Sequence, residues 1–340
     1  MGPSGEGLPN PVVEGDLAIA TLFSPGGVRA VEIETGALRW HVDLPNIAFA
    51  APLVVENIVF VQTSRTLFAL SLSDGSELWE VTPRQQGELS GSLVCHQGLV
   101  FLADSGGRLE AYGQTTGVRR WRRDLSNRPH GRINGVPVVV DGRLIVGNNS
   151  GNVYALDPES GEILWRRKVS SASVWSTGYQ LNGLTVIGSP GEVFGISAEG
   201  DVEPLWRFDG RDIEAITATD DSLILNLQER ESVLVDGEYE MRFRPTTLTS
   251  VQEGRIVWEI KYPPYDSARL TWSPATGLLY EATQHGLGIT DPRKGVRRYV
   301  ISNFGHKDGL PIDTTCIPWV TEEKIYVVTA DGSMVAFYHP

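Results

Sequence analysis

An all-β protein built from eight copies of one four-stranded antiparallel unit is the fold class that the 340-residue sequence predicts, with seven copies as the alternative. Three observations predict it. Tryptophan returns at Trp40, Trp79, Trp121, Trp165, Trp206 and Trp258, at intervals of 39, 42, 44, 41 and 52 residues, which marks one structural unit copied many times. Glycine stands four residues before the repeat aromatic at Gly36, Gly75, Gly117, Gly161, Gly254 and Gly295, and six before it at Gly200. Inside each interval, short β-rich runs alternate with turn residues, and no helical period occurs.

The unit is clearest between Gly135 and Trp165. Three runs, Val-Pro-Val-Val-Val, Arg-Leu-Ile-Val and Asn-Val-Tyr-Ala-Leu, precede the tryptophan strand Ile-Leu-Trp. Asp141-Gly142 turns the first strand into the second, as Gln97-Gly98 and Asn182-Gly183 do in their own units, because such pairs tolerate the positive φ of a tight hairpin. The recurrent glycine marks the turn into the last strand. Alanine lies ten residues before the tryptophan at Ala30, Ala69, Ala111 and Ala155. A small side chain there leaves room for the indole of an adjacent unit.

The units run over residues 12–44, 50–83, 91–125, 135–169, 174–210, 215–263, 269–303 and 314–340. In the seventh, Tyr299 takes the tryptophan position; the eighth has three strands before the sequence stops. Residues 1–11 are read as a flexible leader or as a strand that closes the eighth unit, and residues 12–340 as a single domain. Radial repetition hides most strand edges, so the expected arrangement is a closed β-propeller, monomeric in isolation.

Composition narrows the function classes. Charged residues make up 21%, and no apolar run is long enough for a membrane-spanning helix. The net charge of −13 argues against nucleic acid or anionic lipid as a partner. Basic clusters at Arg119 to Arg123 and Arg166 to Lys168 flank repeat tryptophans, where charge defends a sheet edge against pairing. Cys95 and Cys316 fall in distant units, which suits free thiols better than a disulfide or a metal site. No catalytic triad order, metal-protease motif or phosphate-binding loop occurs, so no catalytic, cofactor-binding or metal-ligating residue is assigned.

The stretch Ala155-Leu-Asp-Pro-Glu-Ser-Gly-Glu-Ile-Leu-Trp165, with weaker copies at Ala30 to Trp40 and Ala69 to Trp79, resembles the tryptophan-docking repeat of quinoprotein-like β-propellers. That superfamily includes pyrroloquinoline-quinone (PQQ) alcohol dehydrogenases and non-enzymatic, BamB-like scaffolds of the bacterial envelope. The resemblance implies that Trp40, Trp79, Trp121, Trp165, Trp206, Trp258 and Tyr299 are structural docking residues. The dehydrogenases hold their cofactor with adjacent cysteines, which this chain lacks. The reading is therefore a non-catalytic protein-binding scaffold without a cofactor. The alternative is a small-molecule sensor or PQQ-dependent oxidoreductase using a central channel. Its compartment is the periplasm or cell envelope if a targeting segment was removed, and otherwise the cytoplasm.

Function is placed on loops, which carry it more often than strands do. The sixth unit contains an insertion with Glu229, Arg230, Tyr239, Arg242 and Arg244, read as a projecting contact arm. Arg128, His130 and Arg132 lie on one further loop, and His306 and Lys307 on another. Trp175, Trp272 and Trp319 lie outside the docking pattern, on the first strands of their units, and are read as packing residues.

Overall fold

A computed structural model describes residues 12–339 apart from 23–25, 47, 49, 85–87, 90–92, 127–130, 134, 209, 220, 236–237, 244–246, 263–268, 284–285, 302–317 and 329–333. The described residues form eight successive antiparallel sheets, the blades of a propeller, and no helix. Six are four-stranded meanders. The fourth, for example, runs Val138–Val140, Arg143–Gly147, Asn152–Leu156 and Ile163–Lys168 in spatial order. The sixth sheet carries a fifth strand, and the eighth has three, Trp319–Val320, Lys324–Val328 and Met334–Tyr338. The expectation that a leader closes that sheet concerns residues 1–11, which lie outside the described residues.

Burial follows position in the meander. Second and third strands are mostly buried, and wholly so in Ile58–Gln62, Leu99–Ala103 and Asn152–Leu156. They are therefore continuous apolar runs, covered on both faces. Outer strands expose every residue but a few; in Leu38–Asp43 and Arg119–Asp124 the tryptophan alone is buried. The first-to-second turns are tight, with φ of 48° at Asp141 and 71° at Gly142. Positive φ at both positions matches the right-handed twist of the flanking strands.

The chain falls into two compact units, one of residues 3–178 with 197–202, the other of 179–196 with 203–340. In each, the core lies between consecutive sheets rather than inside one. Phe101, Leu109 and Trp121 of the third sheet pack with Leu144, Val146 and Tyr154 of the fourth in the first unit. In the second, Tyr280 and Ile289 of the seventh sheet pack with Ile325 and Val327 of the eighth. Trp272 packs with Trp258, Ile260 and Leu279, between the sixth and seventh sheets.

Candidate functional site

The docking joint is the feature that the repeat builds most often. In five of the six repeat tryptophans the indole Nε1 donates to a carbonyl in the last turn of the following sheet. Trp40 reaches Leu72 at 2.9 Å, Trp79 reaches Gln114 at 3.0 Å, and Trp121 reaches Pro158 at 2.8 Å. Trp165 reaches Ala198 at 3.1 Å, and Trp258 reaches Pro292 at 2.6 Å. The receiving turn closes by a bond from the glycine N–H to the carbonyl four residues back, as from Gly161 to Asp157 at 2.8 Å, and three back at Gly200, to Ser197 at 3.0 Å. Its glycine has a φ between 62° and 87° at Gly75, Gly117, Gly161, Gly200 and Gly295.

That glycine answers a second demand. A Cβ at Gly75, Gly117, Gly161 or Gly200 would sit 2.5 to 2.9 Å from the preceding sheet's indole, and one at Gly295 would strike Trp258. The small residue that makes room for the neighbouring indole is therefore the glycine and not the alanine. Ala30, Ala69, Ala111 and Ala155 instead stand opposite the tryptophan of their own sheet, at Trp40, Trp79, Trp121 and Trp165. A bulge follows each of these pairs, and bulges re-aim a side chain. Tyr299 occupies the same register opposite Ile289, again with a bulge.

Arginine two residues after the tryptophan completes two joints. Arg123 donates from Nε to the Gly161 carbonyl at 2.7 Å and from Nη2 to Ser160 at 2.9 Å. Arg167 repeats this on Gly200 at 2.8 Å and Glu199 at 3.4 Å. These two members of the basic clusters clamp a neighbouring turn rather than merely guarding an edge, and the Trp-x-Arg spacing is the signal that would have found them. Asp157 holds the Gly161 turn from below, accepting from the Ser160 N–H at 2.7 Å and its hydroxyl at 2.8 Å. Those bonds keep its carboxyl below the ordinary value of 3.8.

One joint departs from the pattern. Trp206 has a buried Nε1 with no hydrogen-bond partner, and the nearest approach of a Cβ at Gly254 to its ring is 3.9 Å. Its indole lies against Phe208 instead, with ring centroids 5.8 Å apart. This loosened joint belongs to the sixth sheet, where the insertion sits. There the strand Leu223–Val235 runs 13 residues, pairing with Thr247–Gln252 along its first part and with Glu238–Phe243 along its second. The insertion is thus a two-stranded ribbon grown from the sheet. Glu229 and Arg230 lie where it begins, with Glu229 opposite Arg211 and Arg230 opposite Phe243. Within it Arg242 stands opposite Glu231, and Tyr239 opposite Leu234.

Of the other loop residues, Arg132 is exposed, and its carbonyl accepts from the Asn149 N–H at 2.8 Å. Arg128, His130, Arg244, His306 and Lys307 lie outside the described residues. Cys95 is a half-buried free thiol whose pKa burial pushes up to about 12, which leaves it a poor nucleophile. No cluster of metal-ligating side chains occurs among the described residues. No helix among them is long and apolar enough to cross a membrane.

A polar network that sequence reasoning missed lies in the second unit. Glu281 is fully buried and accepts from the Tyr262 hydroxyl, from Thr290 Oγ1 at 2.5 Å and from Arg297 Nη2 at 2.5 Å. The Arg297 guanidinium also lies over the Tyr262 ring, 4.9 Å from its centroid. Burial, then the Glu281 charge, raises the Tyr262 pKa, so its phenol stays protonated and keeps donating.

Comparison with known proteins gives the same architecture. The family model described as outer membrane protein assembly factor BamB matches residues 24–258. The computationally designed protein Ika8 superposes with a TM-score of 0.72 at 14% identity, over 98% of this chain and 97% of that one. A quinohemoprotein alcohol dehydrogenase, ADHIIG of Pseudomonas putida HK5, gives 0.70 at 12% identity, over 95% and 70%. BamB from Moraxella catarrhalis gives 0.48 at 18% identity, over 96% and 82%. At such identities Ika8 and the dehydrogenase share the fold alone. No curated protein sequence matches the chain significantly.

Proposed function

Because the chain belongs to the family described as outer membrane protein assembly factor BamB, we propose that it is a non-catalytic platform that binds other proteins within a multi-component assembly. The observation that carries this reading is the ribbon Leu223–Val235 with Glu238–Phe243, added to a repeat whose other described sheets have three or four strands. The ribbon prolongs the second strand of its sheet, and among the described strands the prolonged part, from Arg230 on, pairs only with Glu238–Phe243. Glu229, Arg230, Tyr239, Arg242 and Arg244 are the contact residues of this arm. Arg128, His130 and Arg132, together with His306 and Lys307, form accessory contact loops. Residues 12–340 act as one propeller domain, monomeric until the partner is bound, in the cell envelope.

Chemical cross-linking of the native protein in envelope preparations, followed by mass spectrometry, tests the reading. The expected result is a partner cross-linked to the ribbon, and its loss when residues 230–243 are replaced by a two-residue turn. An oxidoreductase would instead show an absorbance change and a thermal shift on addition of PQQ with calcium, and turnover of an alcohol. Turnover without any cross-linked partner would overturn the scaffold reading.

A further inference from the structure

A cleft of about 410 Å³ lies in the first unit, beside the outer strand of the third sheet. Residues 81–84, which lead out of the second sheet, line it together with Tyr112, Arg119 and Arg122. Three of the lining residues are arginines, Arg84, Arg119 and Arg122, and no carboxylate is found among its described lining. A buried acid stands behind the wall. Glu110 has a side chain 3% exposed, and its Oε2 accepts from the Tyr112 hydroxyl. Burial, then the hydrogen bond from Tyr112 to Glu110, raises the phenol's pKa and keeps that donor in place.

The arrangement leaves positive charge unspent. Glu110 Oε1 lies 3.5 Å from Arg119 Nη1 and 3.9 Å from Arg122 Nε, yet it closes no hydrogen bond. One buried carboxylate thus holds two guanidiniums at ion-pair range, and Arg119 also interacts with the Tyr112 phenol. Each fork matches a carboxylate in a planar, bidentate way. With Arg84, three cations line the cleft and no carboxylate stands among its described lining, in a chain whose net charge is −13. The wall carrying Arg119 and Arg122 is the terminal strand of its sheet, Arg119–Asp124, which pairs with a single neighbour there. A free strand edge beside anion-binding forks suits an extended polypeptide better than a compact ion.

We propose that this cleft binds the carboxylates of an acidic, extended segment of the partner protein. The assignment rests on the scaffold reading and adds to it the chemistry of the partner. Isothermal titration of the protein with a capped hexaglutamate peptide, a capped hexaserine peptide and inorganic phosphate tests it. Hexaglutamate is expected to bind and hexaserine not, with affinity falling as salt rises, since exposed charges are screened within about 10 Å at 0.1 M. Arg84→Glu should weaken hexaglutamate binding by about tenfold or more, as should Arg122→Ala. Arg84 is exposed, so its replacement keeps the fold, and a matching thermal melt checks this for both variants.

Phosphate binding as tightly as hexaglutamate, or unchanged affinity in Arg84→Glu, overturns the assignment. The cross-linking experiment separates it from the broader reading. A partner recovered equally by the native protein and Arg84→Glu removes the cleft proposal and leaves the scaffold standing. Hexaglutamate held in the cleft with no partner recovered supports the cleft and removes the scaffold.

Discussion

The Trp121 indole lies so close to Gly161 that a Cβ on that residue would sit 2.5 Å from Cδ2 of the ring. Gly36 has nearly the same backbone, with φ of 69° against 68°, but no described atom lies within 4 Å of the same position. The two glycines separate conformational strain from steric conflict. Gly36→Ala should cost only the left-handed penalty, about 1 to 2 kcal/mol. Gly161→Ala adds displacement of a buried indole and the strain of overpacking, which brings the loss to about 3 to 5 kcal/mol. Urea denaturation of both variants measures the difference. Equal losses would mean that the glycine is there for its φ alone.

The tryptophans should divide in a similar way. Trp121→Phe removes a bond of 2.8 Å and leaves the Pro158 carbonyl without that donor, whereas Trp206→Phe removes a buried N–H that has no partner. Losing a buried hydrogen bond costs about 1 to 3 kcal/mol when the other partner is stranded, while deleting an orphan donor relieves a desolvation cost. Trp121→Phe is therefore the more destabilising by about 1 kcal/mol or more. Fluorescence-detected unfolding of the two variants decides, and a larger loss at Trp206 would contradict the loosened joint.

The fold was legible because its signals are local and repeated. A tryptophan, a glycine four residues earlier and a turn dipeptide occur in one stretch, so each unit announces itself. What pairs distant residues was not legible. Arg123 meets Ser160 and Gly161 across a joint, and a single arginine after a tryptophan reads as an edge charge until the next turn is placed beside it. Alanine was misassigned for the same reason, since opposition to its own tryptophan depends on a bulge that spacing alone does not show. The insertion was visible as extra length, but its pairing into a ribbon required the register of Leu223–Val235. Glu110 and Glu281 gave no signal, because an acid inside a strand looks like a solvent-facing residue until its neighbours are known.

Acid should loosen the docking turns. The hydrogen bonds from Ser160 lower the Asp157 pKa, and those from Ser76 lower that of Asp74, both from 3.8 in the unfolded chain. A lowered folded value means that the carboxylate stabilises the turn above pH 3.8 and that this contribution is lost as pH falls through the folded value. Asp157→Ala should thus differ most from the native protein at neutral pH, and the gap in urea midpoint should narrow below about pH 4. A gap that stays constant down to pH 3 would show that the turn uses only the shape of the side chain.

Arg167 offers a test of the clamp. Its Nε and Nη2 reach two successive carbonyls, Gly200 and Glu199, and lysine has one point donor where arginine has a planar fork. Arg167→Lys should cost about 1 kcal/mol. Arg120→Lys, at an exposed position on the third sheet's outer strand, should stay within about 0.5 kcal/mol. Equal effects would return Arg167 to the role of an edge charge.

Glu281 sets the sharpest contrast between holding a charge and filling space. Its side chain is 0% exposed, and the Arg297 guanidinium that it accepts from is 29% exposed and stacked on Tyr262. Removing the acid leaves a largely buried cation with a weakened anchor, and breaking such a pair costs about 3 to 5 kcal/mol. Tyr262→Phe removes one donor from a carboxylate that keeps two others, Thr290 and Arg297, so it should cost about 1 to 2 kcal/mol. Glu281→Gln keeps the volume and loses the charge, and is expected close to the loss for Glu281→Ala. The double variant Glu281→Leu with Arg297→Met, which removes both charges, should recover part of that loss, because an apolar pair of similar size needs no desolvation. Thermal unfolding of the four variants ranks these losses. A double variant no more stable than Glu281→Gln would mean that the network holds the sixth and seventh sheets by its hydrogen-bond geometry and not by balancing the charge of Arg297.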